Sequence, residues 1–267
     1  MSSKPNQTVT GQQALKQQLG DRFYADWESN DHRARRLVSE FIGTSGLTFV
    51  LSGGAAILAG YGGATLAPYQ MAFILSTLAA LWLMAAIYFL GDISSHFNPA
   101  VTLGFALRGD MGIPMTIAYI VVQLTAATAG SFLAAYLFGT GGNLAATIPQ
   151  PGLEYKAVVF EAILTFGMVL LVLGINNGPK LDSSSGPLAV GAYVMAMGTM
   201  GGPFDGAAFN PARAFGPDVV RGDLSTYWVY ACGALIGVLV AVAMARFLRG
   251  PAKAQEANAA MGNPLDK

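Results

Sequence analysis

Long apolar runs, separated by short polar or glycine-rich stretches, make up the chain from about residue 37 to residue 248. An α-helix of about 20 residues crosses a hydrocarbon core of about 30 Å. The pattern therefore predicts six membrane-spanning helices, at about residues 37–59, 69–90, 113–138, 155–176, 188–200 and 227–248. A turn is expected at residues 60–63, and glycines and a proline at residues 198–203 are expected to break the fifth span.

Two further apolar runs are too short to cross a membrane, and both begin with the tripeptide Asn-Pro-Ala. These two boxes are Asn98-Pro99-Ala100 and Asn210-Pro211-Ala212. Asn is a preferred N-cap and Pro suits the first helical turn, so each box predicts a helix start. The first run ends near Leu107, which leaves about ten residues or ~15 Å, half of the hydrocarbon core. The second helix is predicted to end at residues 216–218.

The stretches ahead of the two boxes, residues 91–97 and 201–209, have no helical periodicity. Backbone that is not helical at membrane depth must be buried in protein or line a watery cavity. These stretches therefore predict a cavity wall that presents carbonyl oxygens.

Composition places these segments in a lipid bilayer. Hydrophobic residues make up 53% of the chain and charged residues only 11%, which is typical of a membrane protein. The formal net charge is zero, so no nucleic-acid partner is expected. Cys232 is the only cysteine, which excludes an intramolecular disulfide and a cysteine-based metal cluster. The sequence lacks clustered carboxylates and His/Cys sets, so neither an enzyme nor a metal or cofactor site is expected.

Polar ends flank the apolar region. Residues 1–36 form a predicted cytoplasmic arm, residues 37–248 the membrane domain, and residues 249–267 a polar tail. Lys and Arg concentrate before the first span, after the last, and in the loops that contain Arg108 and Lys180. The positive-inside rule therefore puts both termini in the cytoplasm of a multi-pass protein of the cell membrane, plasma or inner.

The membrane domain contains an internal repeat. Residues 38–44 resemble residues 159–165, 121 positions later, and the two boxes are 112 positions apart. Each half, about 37–138 and 155–248, then holds three spans and one half-helix. Because three is an odd number, the second half is inverted in the membrane relative to the first. The sequence thus predicts an all-α membrane protein with six transmembrane helices and two re-entrant half-helices in an inverted repeat.

In such a repeat the half-helices enter from opposite faces and their N-termini meet near the membrane midplane. Each N-terminus carries about half a positive charge, which opposes cations. The side-chain oxygens of Asn98 and Asn210 would cap the helices and leave both amide NH₂ groups to donate into a lumen. This arrangement predicts a pore that passes neutral molecules and interrupts a proton wire.

The paired boxes carry a family resemblance. The second continues as Asn-Pro-Ala-Arg, the first lies within the stretch His96-Phe97-Asn98-Pro99-Ala100-Val101-Thr102, and both halves open with a glutamate-bearing segment. Over about residues 36–248 the chain resembles the aquaporin, or major intrinsic protein, family, and it is more similar to the solute-permeable, aquaglyceroporin-like members than to the water-selective ones. The resemblance implies a homotetramer with one pore per protomer, and Arg213 as the charged member of an outer constriction.

The resemblance also implies where the rest of the constriction lies, because in the family these positions precede the box asparagines by fixed numbers of residues. They correspond to Leu78, Gly198 and Ala207. Water-selective members typically have Phe and His at the first two, and this chain has neither. Glycerol facilitators share the Gly but have aromatics at the first and third positions, and Asp after the Arg, where this chain has Ala214. Small side chains beside one Arg predict a permissive pore for water, glycerol, urea or undissociated metalloid acids.

Three further polar residues are candidates for the pore wall or its support. Glu40 and Glu161 occupy matching positions in the two halves, and intramembrane carboxylates often act in proton relay or substrate binding. The resemblance implies instead that they hold backbone N–H groups of the non-helical stretches. His96 is expected to be a hydrogen-bonded wall residue and not a metal ligand or pH gate, because no second His or Cys is near it in the sequence.

Other functions are compatible with parts of this pattern. A water-selective channel would share the boxes. A secondary transporter can also be built on an inverted repeat, but it would need an ionisable or coordinating group where the repeats meet, and two neutral asparagines are expected there. A purely structural membrane protein would pass no solute.

Overall fold

The computed structural model of the protein describes residues 30–61, 66–175 and 185–250. The long helices are α1 (Asn30–Tyr61), α2 (Pro68–Leu90), α4 (Ile113–Phe138), α5 (Glu154–Ile175), α6 (Gly186–Asp205) and α8 (Tyr227–Arg249). Two short helices, α3 (Pro99–Arg108) and α7 (Pro211–Arg221), follow the two boxes. A short 3₁₀ segment lies at Gly141–Ala145, and no strand occurs among the described residues. The predicted all-α architecture of six long and two short helices is confirmed.

Five of the long helices, α1, α2, α4, α5 and α8, are long and apolar enough to cross a membrane. Helix α6 has 20 residues and therefore a length of ~30 Å, but its glycines lower its mean hydropathy. Large apolar side chains on the outer surface, among them Phe73, Phe132 and Phe247, are exposed, as contact with lipid requires.

The helix contacts relate the two halves as an inverted repeat. Helix α1 packs along α4 in the first half, α5 packs along α8 in the second, and α2 packs along α6 between the halves. The short helices cross over, because α3 of the first half lies against α8 and α5, and α7 of the second half lies against α4 and α1. Each half therefore supports the short helix of the other.

Glycines let the long helices within each half approach closely. A Cβ on Gly130 of α4 would lie 2.1 Å from the Ser45 carbonyl oxygen of α1. In the second half, a Cβ on Gly237 of α8 would lie 2.5 Å from the Ala162 carbonyl oxygen of α5. Neither position has room for a larger side chain, so both halves use the same small-residue packing.

The first span is longer than the apolar pattern predicts. Helix α1 begins at Asn30 and ends at Tyr61, so part of the predicted arm and the start of the predicted turn are helical. Arg36 is fully buried within it, and its Nε donates to Tyr119 Oη of α4 at 2.5 Å. The rest of the predicted arm, turn and tail, at residues 1–29, 62–63 and 251–267, lies outside the described residues, as does Lys180.

Helices around the second box also continue further than predicted. Helix α6 passes through Pro203 to Asp205, and α7 passes through Pro217 to Arg221. Proline removes one helical hydrogen bond, a local cost that packing on neighbouring helices outweighs. The helices end instead where Gly206 and Gly222 adopt φ angles of 92° and 74°. The non-helical stretches are therefore residues 91–97, the first lead, and residues 206–209, the second lead.

Candidate functional site

A cavity runs along the axis of the protein between α2 and α6. On α2 its lining residues recur at helical spacing from Pro68, the first residue of the helix, to Ile87 in the last turn. On α6 they extend from Gly186 to Pro203. Since the α2 stretch from Pro68 to Ile87 has about 20 residues, the cavity is roughly 30 Å long at ~1.5 Å per residue. A volume of about 500 Å³ over this length describes a narrow passage.

The two boxes meet within this cavity, and Asn98 and Asn210 both line it. Asn98 Nδ2 donates to the Phe209 carbonyl oxygen at 2.9 Å, and Asn210 Nδ2 donates to the Phe97 carbonyl oxygen at 2.9 Å. Each asparagine thus binds the residue that precedes the other. The reciprocal bonds bring the N-termini of α3 and α7 together at one point of the lumen.

Both asparagines also cap their own helices. Asn98 Oδ1 accepts from the Ala100 N–H at 2.8 Å, and Asn210 Oδ1 accepts from the N–H groups of Ala212 and Arg213 at 3.0 and 3.3 Å. An amide nitrogen has two hydrogens, and one is used in the bond to the other half. One N–H per asparagine is therefore left for the lumen, not the whole NH₂ group that the sequence suggested.

The last residue of each lead has a strained backbone. Phe97 and Phe209 have φ angles of 50° and 32°, a region that bulky residues rarely adopt. The Phe97 N–H donates to Glu40 Oε2 and the Phe209 N–H donates to Glu161 Oε2, both at 2.7 Å. Because their carbonyls accept from the asparagines, each phenylalanine is held on both sides of its backbone. Hydrogen bonds on both sides of a residue hold its strained backbone conformation in place.

The two glutamates are equivalent supports of the leads. Glu40 Oε1 accepts from the His96 N–H at 2.8 Å, and Glu161 Oε1 accepts from the Ala208 N–H at 2.6 Å. Both carboxylates are fully buried, and neither is among the described residues that line the cavity. They lie behind the wall, where they can orient the backbone but do not contact a permeating molecule.

Glu40 is also part of a buried network that sequence reasoning missed. Ser94 Oγ donates to Glu40 Oε1 at 2.7 Å and lies 2.7 Å from Tyr119 Oη, which accepts from Arg36. Gln123 Nε2 donates to Glu40 Oε2 at 2.8 Å. The sequence contains one signal for this network: Arg36 lies at the start of one apolar segment, and Gln123 lies inside another. The network ties the first lead to both α1 and α4.

His96 lines the cavity from the first lead. Its Nδ1 lies 3.1 Å from Thr102 Oγ1, and its ring stacks on Phe105 with centroids 4.7 Å apart. The described residues contain no cluster of three side chains that could hold a metal ion. Packing and hydrogen bonding thus fix the imidazole as part of the wall.

Arg213 lines the cavity from α7. Its Nη1 donates to the Ala145 carbonyl oxygen at 2.6 Å, which holds the guanidinium against one side. Gly198 and Ala207 line the same cavity. A Cβ on Gly198 would lie 2.4 Å from Ser76 Oγ, so the Ser76 hydroxyl of α2 occupies the space beside this glycine.

Leu78 is not among the residues that line the cavity, so its predicted place in the constriction is wrong. Its Cδ1 lies over Gly54 of α1, where a Cβ would be 2.6 Å away. The count from Asn98 crosses the non-helical first lead, where one residue can be gained or lost without disturbing α2. A shift of one residue turns a helical side chain by about 100°. Ser76 and Ala79 line the cavity instead.

The segment between α4 and α5 was not predicted to be part of the site. Gly142, Asn143, Leu144 and Ala145 have φ angles of 57°, 53°, 53° and 55°. Gly142 and Ala145 line the cavity, and the Ala145 carbonyl is the acceptor for Arg213. The only signal in the sequence was the glycine-rich stretch at residues 139–142.

The lining has few ionisable groups. Among the described residues, no Asp, Glu or Lys lines the cavity, and the ionisable side chains that do are His96 and Arg213. The centre instead presents asparagine N–H donors, and the remaining wall is mostly apolar. This chemistry suits neutral molecules that form hydrogen bonds and offers no counter-charge to a cation.

Known proteins are similar to this chain in sequence. The profile of the Major intrinsic protein family matches residues 27–244. Aquaporin TIP2-1 of Zea mays is 39% identical over 226 residues, which cover 82% of this chain and 86% of that protein. Aquaporin NIP1-1 of Zea mays is 33% identical over 210 residues, which cover 77% and 71%.

The fold is also that of a solved structure. The aquaglyceroporin from Plasmodium falciparum has a TM-score of 0.67 and 22% sequence identity to this chain, and the match covers 79% of this chain and 95% of that one. The chain therefore belongs to the major intrinsic protein family, whose members are membrane channels for water and small solutes and not enzymes.

Proposed function

We propose that the axial cavity is the pore of a passive channel that conducts water and small uncharged solutes, such as glycerol, urea or undissociated metalloid acids, and excludes ions and protons. The observation that carries this proposal is the reciprocal pair of bonds between the halves, Asn98 to Phe209 and Asn210 to Phe97. These bonds put two helix N-termini and two amide donors at one point of a narrow lumen.

Exclusion of protons and cations follows from the polarity of that point. A water molecule at the centre accepts from the remaining N–H of Asn98 and of Asn210, so its own hydrogens turn away from the centre on both sides. A proton wire cannot continue through a water that is held in this orientation. The two helix N-termini, with about half a positive charge each, oppose a cation at the same place, and Arg213 opposes it again at the outer end.

Breadth of permeation follows from the small side chains near Arg213. Gly198 has no side chain, and Ser76, Ala79 and Ala207 are among the small residues that line the cavity on the surrounding elements. None of these four positions has an aromatic or imidazole side chain. We therefore expect solutes the size of glycerol to enter, with hydroxyl groups hydrogen-bonded to Arg213 and carbon atoms against the alanines.

A secondary transporter fits the site less well. Ion-coupled transport needs a titratable or coordinating group at the meeting point of the repeats, and the groups there are two asparagines and two backbone carbonyls. Flux that stays proportional to the solute gradient and independent of proton or sodium gradients is expected for a channel. Coupled flux would favour a carrier.

We further infer a homotetramer with one pore per protomer, in the cell membrane, with both termini in the cytoplasm. The orientation is supported by Arg108, Arg246 and Arg249, which lie at the helix ends assigned to the cytoplasmic side. A molecular mass four times that of the protomer in detergent, and protease access to both termini from the cytoplasmic side only, are the expected results.

The decisive experiment is stopped-flow permeability of vesicles that contain the purified protein, with water, glycerol, urea and boric acid as solutes. We expect fluxes of all four above those of empty vesicles. Water flux without glycerol or urea flux would contradict the proposed breadth and favour a water-selective channel. No flux of any solute would contradict the channel itself and favour a structural role.

A substitution at Gly198 tests the placement of the constriction. Gly198→His adds a polar ring to the wall, but the Ser76 hydroxyl occupies the first position that its side chain needs. The variant should therefore be made together with Ser76→Gly, with Ser76→Gly alone as the matched control. We expect the glycerol-to-water permeability ratio to fall in the double variant relative to this control. An unchanged ratio would show that Gly198 is not at the constriction.

A further inference from the structure

The segment that contacts Arg213 is itself held by two serines in the long helices of the first half. Ser52 of α1 and Ser131 of α4 are fully buried, and their Oγ atoms lie 3.1 Å apart. Ser52 Oγ also lies 2.9 Å from the Leu144 carbonyl oxygen, to which it donates. The next carbonyl along the chain, that of Ala145, accepts from Arg213 Nη1 at 2.6 Å.

The donors in this series of contacts follow from the groups involved. A carbonyl oxygen can only accept, and a serine has a single hydroxyl hydrogen. Ser52 Oγ is the donor in both contacts, so its one hydrogen is shared between the Leu144 carbonyl oxygen at 2.9 Å and Ser131 Oγ at 3.1 Å. Ser131 thus holds the Ser52 hydroxyl in place as its second acceptor, and Ser52 fixes the Leu144 carbonyl.

The backbone at this point would not keep its shape without such contacts. Leu144 and Ala145 have φ angles of 53° and 55°, where side chains other than glycine are strained. Gly142 lies so close to α1 that a Cβ on it would be 2.5 Å from the Ala55 carbonyl oxygen. The segment is thus held against α1 at Ser52 and at Ala55, about one helical turn apart, and this determines where the Ala145 carbonyl points.

We propose that Ser52 and Ser131 are positioning residues of the outer constriction, which keep the Ala145 carbonyl in place so that Arg213 lies against the wall of the cavity. The inference rests on the proposed function, because it gives residues outside the lumen a role in solute permeation. An arginine side chain is long and flexible. A guanidinium that loses its acceptor extends into the lumen for part of the time and narrows it, more for glycerol than for water.

The test uses the full-length protein in vesicles, with Ser52→Ala and Ser131→Ala as variants. Loss of a buried hydrogen bond that leaves one partner unpaired is expected to lower water permeability per channel about threefold, and glycerol permeability further. Ser45→Ala is the matched control, since it makes the same change in α1 but removes a hydroxyl that donates to the Ile42 carbonyl of its own helix. It should leave both permeabilities at the wild-type value.

A double-mutant cycle separates positioning from a general effect on the fold. In an Arg213→Ala background there is no guanidinium to hold, so Ser52→Ala should no longer change the glycerol-to-water ratio. An equal change in both backgrounds, or none in the wild-type background, overturns the proposal. Ser131→Ala carries the same cycle if Ser52→Ala does not fold. Failure of the proposed function is distinguishable, because wild-type vesicles would then conduct no better than empty ones.

Discussion

Replacing Glu161 by Gln changes the hydrogen bonds that support the second lead, while the side chain keeps almost the same shape. The carboxylate accepts the N–H groups of Ala208 and Phe209 at 2.6 and 2.7 Å, one on each oxygen. A glutamine has one acceptor oxygen, so one backbone N–H must face its NH₂ group. Whichever way the amide is oriented, a buried donor stays unpaired.

The size of the effect can be worked out from these two bonds. Bonds to a charged acceptor contribute about 1.5–3 kcal/mol each, and an unpaired buried donor costs about 1–3 kcal/mol. The neutral amide recovers part of this, because a carboxylate is more costly to desolvate. A net loss of about 2 kcal/mol follows, and at about 2–4 °C per kcal/mol for a chain of this size Tm should fall by about 4–8 °C.

The assay is thermal unfolding of the purified protein in detergent, followed by water permeability in vesicles. Either Ala208 or Phe209, whose φ is 32°, loses the bond to its N–H, so the Phe209 carbonyl should move away from Asn98 and water permeability should fall with Tm. Glu154→Gln is the matched control in the same helix, where the carboxylate accepts one N–H, from Gly152, at the surface. A Tm within about 1 °C of wild type for Glu161→Gln would refute the reasoning, since it corresponds to under ~0.5 kcal/mol.

Two further predictions concern a close contact between α1 and α4 and the centre of the pore. Gly130→Ala places a Cβ 2.1 Å from the Ser45 carbonyl oxygen and should lower Tm by more than about 5 °C. Gly60→Ala is the control and should not lower Tm, because a Cβ there has nothing within 4 Å. Equal Tm values for the two variants would contradict the packing argument. Asn98→Asp keeps a cap oxygen but turns a second acceptor toward the Phe209 carbonyl and adds negative charge to the lumen. Potassium flux should then become measurable and water flux should drop, and unchanged values of both would contradict the assigned role of the amide donor.

Several features could be predicted from the sequence because they depend on neighbours along the chain. Helix caps are local, so the two boxes indicate where α3 and α7 begin. Span length depends on the length of an apolar run, and an odd number of spans per half requires inversion. From these facts alone Asn98 and Asn210 were expected to meet, and the structure places both in the lining of one cavity.

Residue positions counted across a non-helical stretch were less reliable. Gly198 and Ala207 were counted from Asn210 and line the cavity, although α6 continues further toward the second box than expected. Leu78 was counted from Asn98 through the first lead and lies against Gly54 instead. The face of α2 that lines the cavity is set by how α2 packs on α1 and α6, and this packing is not encoded in a spacing.

The sequence by itself determined that this is a membrane protein of inverted repeats with two capped half-helices, since run length, capping and span count are local or additive properties. Only the tertiary structure decided which side chains hold those half-helices in place. Arg36 with Tyr119, and Ser52 with Leu144, are separated by 83 and 92 residues in the chain. Such pairs form only when packed helices bring the two residues together. The hydrophobic periodicity of one segment does not indicate which residue of a distant segment it will contact.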